Sequence, residues 1–346
     1  MKENNTKNRK NFVKTSTNYW AFFWLTFLIL KDIPLVASVP LIRVKRSQIR
    51  CEPIGRIMDR GEKRFDTKSL ICEKESIEVL NSGTIDFLCY SSGKILKLSS
   101  GIVSDKCPKI ETINANCNPN NVVGCFRPKG GTEESDDPTI ISPYSTSTLN
   151  PRPEITWTPV NGATSYKVKV ESYEFGWEKI VNQTRLAYPS DEKEFQPGSI
   201  YTIYVFAYKD GTAFSYDSTP VNLLSVASQE EIAQNIKRIK ELGLPPDETV
   251  LDIDAIYASE NLLNETIEML KSQTETATPS RNPTLYRVLG DRYLRAWLPN
   301  EAKRQYTKAF EVAKSSNNSK ELQKAQEGLK MVKFYNQLPT RRNGAQ

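Results

Sequence analysis

Histidine is absent from all 346 residues. That removes the side chain that most often acts as general base near neutral pH and as metal ligand. Closely paired cysteines are missing too. Cys51, Cys72, Cys89, Cys107, Cys117 and Cys125 follow one another at spacings of 21, 17, 18, 10 and 8, with no Cys-x-x-Cys. Tetrahedral zinc sites and thioredoxin-like redox sites both depend on such pairs, so both are poor readings of this chain. No phosphate-cradling Gly-x-x-x-x-Gly-Lys occurs, and Asp252-x-Asp254 lacks the glycine and terminal glutamate of a calcium loop. Ser91 to Lys94 spells Ser-x-x-Lys but falls on a predicted hairpin turn, without the Lys-Thr-Gly and Ser-Asp-Asn elements that accompany it in penicillin-recognising enzymes. There is no Arg-Gly-Asp tripeptide. Site-level chemistry is therefore expected to be nil: no catalytic, cofactor or metal residues.

A concentrated basic surface is also lacking. Ten of the 47 Lys/Arg but only Glu3 and Asp32 among the 41 Asp/Glu lie in residues 1–50, so that stretch carries +8 and the rest −2. A nucleic-acid-binding body needs a basic face, and none shows in these totals. Hydrophobic residues at 38% and charged ones at 25% are ordinary for folded domains, so normal cores can form. The length predicts two or three domains.

Long apolar runs are few. Tyr19 to Leu30 is twelve residues long and is interrupted by Lys31 and Asp32, short of the roughly 20 residues a spanning helix needs. With its basic head and Val36-Ala37-Ser38 beyond it, the segment 1–38 has the layout of a secretory signal. An uncleaved N-terminal anchor is the alternative, because Arg43, Lys45, Arg46 and Arg50 follow where positive charge resists translocation. Either way the bulk of the chain is expected outside the cytoplasm: periplasmic, cell-surface or secreted.

All six cysteines fall within residues 41–127. An even set in an exported segment reads as three disulfides, in one of 15 pairings. Between them the period is two: Ile77 and Val79, then Ile85, Phe87 and Cys89, then Ile95 with Leu98, with turns at Asn81-Ser82-Gly83 and Ser91-Ser92-Gly93. This predicts a small antiparallel meander, its thin core reinforced by disulfides worth about 2–4 kcal/mol each.

Residues 128–137 hold no apolar side chain beyond proline and predict a linker. In 138–227 alternating segments recur at Pro138–Ser142, Glu154–Thr158, Ser165–Ser172, Trp177–Asn182, Ile200–Tyr208 and Val221–Ser225, with turn signals at Asn161-Gly162 and Pro197-Gly198. That pattern predicts an all-β sandwich. Ile155-Thr-Trp157, the Gly162-Ala-Thr-Ser-Tyr166 step into a strand, and Phe195-x-Pro197-Gly198-x-x-Tyr201 resemble a fibronectin type III domain over about 75 residues. The resemblance implies a core of Trp157, Tyr166 and Tyr201, with the Tyr201 hydroxyl tying a corner, and a role in adhesion, spacing or partner binding. Tyr204, Phe206 and Tyr208 alternate with Ile203, Val205 and Ala207, so one of the two sets faces outward. Either that aromatic row is a docking surface or both sheet faces are covered.

Residues 228–338 read as helical, followed by a disordered tail at 339–346. Ser228-Gln-Glu-Glu231 is a predicted capping box, Ile232, Ile236, Ile239 and Leu242 keep helical spacing, and Gly243 with Pro245-Pro246 stops the helix. Tyr286-x-x-Leu289-Gly290-x-x-Tyr293, then Ala302-x-x-x-Tyr306 and Ala309, resembles the tetratricopeptide repeat signature. Val250-x-x-Ile253-Asp254-x-x-Tyr257, with Thr266 and Leu270, is similar one repeat earlier, 36 residues from Tyr257 to Tyr293. Asp254 stands where that signature has glycine. Leu322, Ala325, Leu329, Val332 and Leu338 predict a covering helix. The resemblance implies a groove for peptides or proteins, with Asn261, Arg287, Asp291 and Arg295 as candidate contacts; a merely solvated face is the alternative.

The chain is thus expected to be multidomain: a small disulfide-containing β domain, an all-β sandwich and an all-α helical repeat. This order is similar to exported modular proteins of bacteria, cyanobacteria in particular. The expected function is a non-enzymatic scaffold or adaptor binding proteins, without nucleic acid and without cofactor. The alternatives are a membrane-anchored extracytoplasmic sensor and a histidine-free hydrolase.

Overall fold

The computed structural model of the chain describes residues 42–45 (backbone only), 53–58, 70–79, 83–107, 137–276 and 278–338. The expected signal segment, Cys51, Cys117, Cys125, the linker to residue 136 and the tail from 339 lie outside the described residues.

The first domain is built from strands β1 (Ile42–Lys45), β2 (Pro53–Ile57), β3 (Leu70–Cys72), β4 (Ser76–Val79), β5 (Ile85–Cys89), β6 (Ile95–Leu98) and β7 (Gly101–Ile102). The three central segments are strands as their period-two pattern predicts, yet they do not form a meander. β4 pairs with β1 and β7, whereas β5 joins β2 and β6, giving two sheets of order β1-β4-β7 and β3-β2-β5-β6. Of the two predicted turns, Ser91-Ser92-Gly93 makes a hairpin, with Gly93 at φ +63°. Alternation also breaks in β5: Phe87 and Cys89 fill the domain core, but Leu88 between them is buried as well, against helical residues. Gly55 has to be glycine, because a Cβ there would lie 2.1 Å from the Leu88 carbonyl oxygen. Cys89 and Cys107 form a disulfide with Cα atoms 5.6 Å apart; Cys72 is disulfide-bonded too, and no described cysteine is free.

The second region comprises β8 (Ile140–Ser142), β9 (Ser147–Thr148), β10 (Ile155–Trp157), β11 (Ser165–Glu171), β12 (Gly176–Val181), β13 (Arg185–Leu186), β14 (Ile200–Lys209) and β15 (Thr212–Leu223). One sheet has the order β13-β10-β8 and the other β12-β11-β14-β15-β9, antiparallel except where β9 runs beside β15. Their inner faces bury Ile140, Ile155, Trp157, Val168, Ile203 and Val205 in one core. The predicted last strand, Val221–Ser225, is the end of a twelve-residue strand. Its first part, Thr212 to Thr219, lies outside the predicted segments and is held as strand by its register against β14.

Six helices follow: α1 (Val226–Glu241), α2 (Pro246–Ser259), α3 (Leu263–Thr274), α4 (Pro283–Arg295), α5 (Pro299–Ser315) and α6 (Ser319–Gln337). α1 starts earlier than the predicted capping box. Ser225 is its cap, accepting the Ser228 amide, and Ser228 lies in the first turn. Gly243, at φ +61°, ends that helix, and Pro246 opens α2 where no amide hydrogen is required. Consecutive helices pack on each other, and α4 also meets α6. Among the described residues no helix is long and apolar enough to cross a membrane.

The α2–α3 and α4–α5 pairs repeat each other in detail. Each first helix ends with a residue at positive φ, Asn261 at +59° and Trp297 at +61°. In each, the following leucine amide donates back to a tyrosine carbonyl, Leu262 to Tyr257 at 2.8 Å and Leu298 to Tyr293 at 2.9 Å. Both features sit 36 residues apart, the spacing read from the sequence.

Candidate functional site

The sandwich residues singled out by sequence lie where a corner and a core need them. Trp157 and Tyr166 meet edge-to-face with ring centres 5.4 Å apart, and the Tyr166 hydroxyl accepts the Val160 amide at 2.9 Å. Tyr201 stacks on Phe195 at 4.0 Å, and its hydroxyl accepts the Gln196 amide at 2.8 Å, closing the corner before β14. Ile203, Val205 and Ala207 belong to the core, so Tyr204, Phe206 and Tyr208 form the outward row. That row is half-buried. The Lys167 ammonium stands 5.5 Å from the Phe206 ring centre and the Lys169 ammonium 5.8 Å from that of Tyr204. Phe206 stacks on Tyr216 at 5.5 Å. The rings spend their faces on each other and on the lysine stems, as amphipathic side chains on a wet sheet do.

In the helical region Tyr286, Leu289, Gly290, Tyr293, Ala302, Tyr306 and Ala309 are all buried, and Tyr257 is partly so. Tyr306 organises the last helices. Its ring lies against two glycines, where an added Cβ would sit 2.8 Å away at Gly290 and 2.4 Å away at Gly328. Its hydroxyl donates to Asp291 Oδ1 at 2.7 Å. Burial and the Asp291 carboxylate push that phenol far above its ordinary value, so it stays a donor.

Asp254, at the place that Gly290 takes 36 residues later, is buried and bonded. Arg292 grips it with two bonds of 2.8 and 2.6 Å, and the buried Thr266 hydroxyl donates to it at 2.7 Å. Burial would lower the Arg292 guanidinium, but the Asp254 charge more than offsets this and raises it.

The four candidate groove contacts are all engaged within the chain. Arg287 pairs with Glu321 and Asp291, Asp291 also accepts from Tyr306, Arg295 donates to the Ala258 carbonyl, and Asn261 donates to Thr146.

Sequence reasoning missed the two junctions that join the β regions to the helices. At the first, Arg56 of β2 is 1% exposed. Its Nε lies 2.6 Å from Asp252 Oδ2 and its Nη2 2.9 Å from Glu248 Oε2, while the Tyr90 hydroxyl donates to Asp252 Oδ1 at 2.6 Å. Burial raises the Asp252 carboxyl against the pull of Arg56, and burial with the Asp252 charge holds the Tyr90 phenol well above its ordinary value. At the second, Glu265 of α3 accepts the Leu149 amide at 2.5 Å and the Thr148 hydroxyl at 3.0 Å; burial raises its carboxyl despite these donors. Beside it the Tyr144 ring meets Tyr293 edge-on at 6.3 Å, and burial pushes its phenol up to about 12. No local pattern marks these residues, since each joins partners more than 100 positions apart.

The Ser91 hydroxyl rests 3.1 Å from Cys89 Sγ, on the hairpin turn, and Lys94 is exposed. Among the described residues no group of three or more His, Cys, Asp or Glu is placed to hold a metal ion.

No protein-family model matches the chain, and no curated protein matches it. Among solved structures, the fn3 domain of human collagen alpha-1(XX) chain, a solution structure, matches at 19% identity with a TM-score of 0.21, covering 28% of this chain and 92% of that domain.

Proposed function

We propose that this chain is a non-enzymatic, exported adaptor that binds other proteins through a tetratricopeptide-like helical array and a fibronectin III-like sandwich. The observation that carries this reading is the duplicated helix pair, in which the same leucine-to-tyrosine bond recurs 36 residues apart. Stacked helix pairs yield an extended binding surface as their direct structural product. The Tyr201 corner and the Trp157–Tyr166 core support the sandwich reading. The Cys89–Cys107 disulfide is consistent with a working place outside the cytoplasm. The order of domains resembles that of exported modular proteins of bacteria, cyanobacterial ones in particular.

The test is crosslinking of the full chain in its native compartment, followed by quantitative recovery of partners. A companion carries Arg304→Glu and Lys308→Glu on the outer side of α5, where both side chains are exposed. A defined protein recovered with the native chain and lost with the companion supports the adaptor. Identical recovery from both excludes the outer side of α5 as the contact, and no partner from either counts against the adaptor.

A further inference from the structure

We propose that the first β domain is an internal ligand of the helical array: its Arg56–Tyr90–Gly93 edge closes the outer face of α2, and an arginine-bearing extended segment of a partner takes that place when the edge lets go. This deepens the adaptor reading above and rests on it for the existence of a partner.

Helix α2 has two working faces. Val250 and Asp254 turn toward the other helices, Val250 into their core and Asp254 onto Arg292. Glu248, Asp252, Ala255 and Ser259, at spacings of four, three and four, share another stripe. That stripe faces the β domain. Arg56 bridges Glu248 and Asp252, Tyr90 donates to Asp252, and Gly93 comes so close that a Cβ would lie 2.1 Å from the Ser259 hydroxyl and 2.7 Å from the Ala255 carbonyl. Leu88 and Met58 seal the space beneath against Ile253 and Ile256, and Arg238 of α1 pairs with Asp86 at the rim.

The seal is electrostatic at its centre, which is unusual for a surface meant only to be stable. A buried ion pair gains little over apolar packing of the same volume, but it is strict about what it accepts. The stripe therefore discriminates for a guanidinium arriving on an extended strand, the form in which Arg56 presents it. The edge itself is rigid. Arg56 lies opposite Leu88 in the β2–β5 ladder, Tyr90 adjoins Cys89, and the Cys89–Cys107 disulfide ties that strand end down. The 29 residues between Cys107 and Asp137 tether this domain to the sandwich, so closure is an intramolecular event that a free partner must outcompete.

Hydrogen exchange of the oxidised full chain tests this, read at the α2 amides and at β11 and β14 of the sandwich. Arg56→Met is expected to speed α2 exchange by roughly tenfold with the sandwich unchanged, the mark of a local opening. Adding Asp252→Leu to it is expected to bring α2 back to within about threefold of the native rate, because an apolar pair can refill the site. Tyr90→Phe, which deletes one hydroxyl, is the milder probe should Arg56→Met fail to fold, with roughly threefold faster α2 exchange expected. The peptide Pro-Ile-Gly-Arg-Ile, copying residues 53–57, is expected to slow α2 exchange again in Arg56→Met, and its Arg→Met counterpart to do nothing. Unchanged α2 exchange in both single variants overturns the lock. So does acceleration of α2 and the sandwich together, which means one cooperative fold. Equal effects of the two peptides overturn the arginine preference. Failure of the partner-recovery experiment would remove the adaptor and leave these exchange results standing.

Discussion

Gly328→Ala sets two forces of opposite sign against each other. In an exposed helix interior this change gains about 1 kcal/mol, because alanine loses less backbone freedom than glycine. At this position the new methyl would lie 2.4 Å from Cε1 and 2.6 Å from Cδ1 and Cζ of Tyr306. The ring has nowhere to go. The Gly290 backbone is so near the same ring that a Cβ there would lie 2.8 Å from it, and the ring's hydroxyl is tied to Asp291. Overpacking of a tight site costs about 1–3 kcal/mol, and with the new methyl so far inside contact distance of a tethered ring the upper end applies, roughly 3 kcal/mol. The difference is a net loss of about 2 kcal/mol, or about 8 °C in the melting temperature of a helical region of about 110 residues. The assay is thermal and urea unfolding of the full chain, followed by helical circular dichroism. Adding Tyr306→Leu shortens the obstructing ring, so the double variant should show a coupling energy that makes Gly328→Ala less harmful in that background. A melting temperature that rises with Gly328→Ala alone would refute the reasoning, for helix propensity would then outweigh the clamp.

Other changes probe separate joints. Tyr201→Phe keeps the stack on Phe195 but strands the Gln196 amide, a loss of about 1–2 kcal/mol by urea titration; no loss would mean the corner bond is idle. Asp254→Asn leaves Arg292 with a buried, unbalanced charge and should cost about 3 kcal/mol, most of it regained with Arg292→Met; an unchanged single variant would contradict the pairing. Glu265→Gln tests the second junction through pH. The Glu265 carboxyl is raised in the folded chain, so its contribution to stability is full below the ordinary carboxyl value and is lost as pH rises through the raised one. The glutamine variant should therefore melt higher than the native chain at pH 7.5 and about level with it at pH 4. The reverse order would show that the charge is needed.

The contrast between what sequence showed and what it hid follows the range of the interactions. Helical spacing in Ile232, Ile236 and Ile239, and alternation in Tyr166, Val168 and Val170, are local, and both became the expected elements. Tyr201 was legible because its corner partner, Gln196, is five residues away. The pairing of β4 with β1 and β7, instead of β5, was hidden because period-two patterning fixes faces and not neighbours. The stretch from Thr212 to Thr219, which no predicted segment covered, is strand through its ladder to β14. Gly328 offered no signal beside Gly290, for it lies outside the repeat signature and acquires its role from a tyrosine 22 positions earlier. The Arg56 junction was the least visible. Arginine on a short strand reads as solvent-facing until Asp252, 196 positions later, arrives opposite it.

The central claim is that this chain is a disulfide-stapled binding scaffold working outside the cytoplasm, and mass spectrometry of the native protein, with and without reduction, tests it most directly. The account predicts a mature start near Val39 and three disulfides, Cys89–Cys107 among them. An intact Met1 with six free thiols would contradict it.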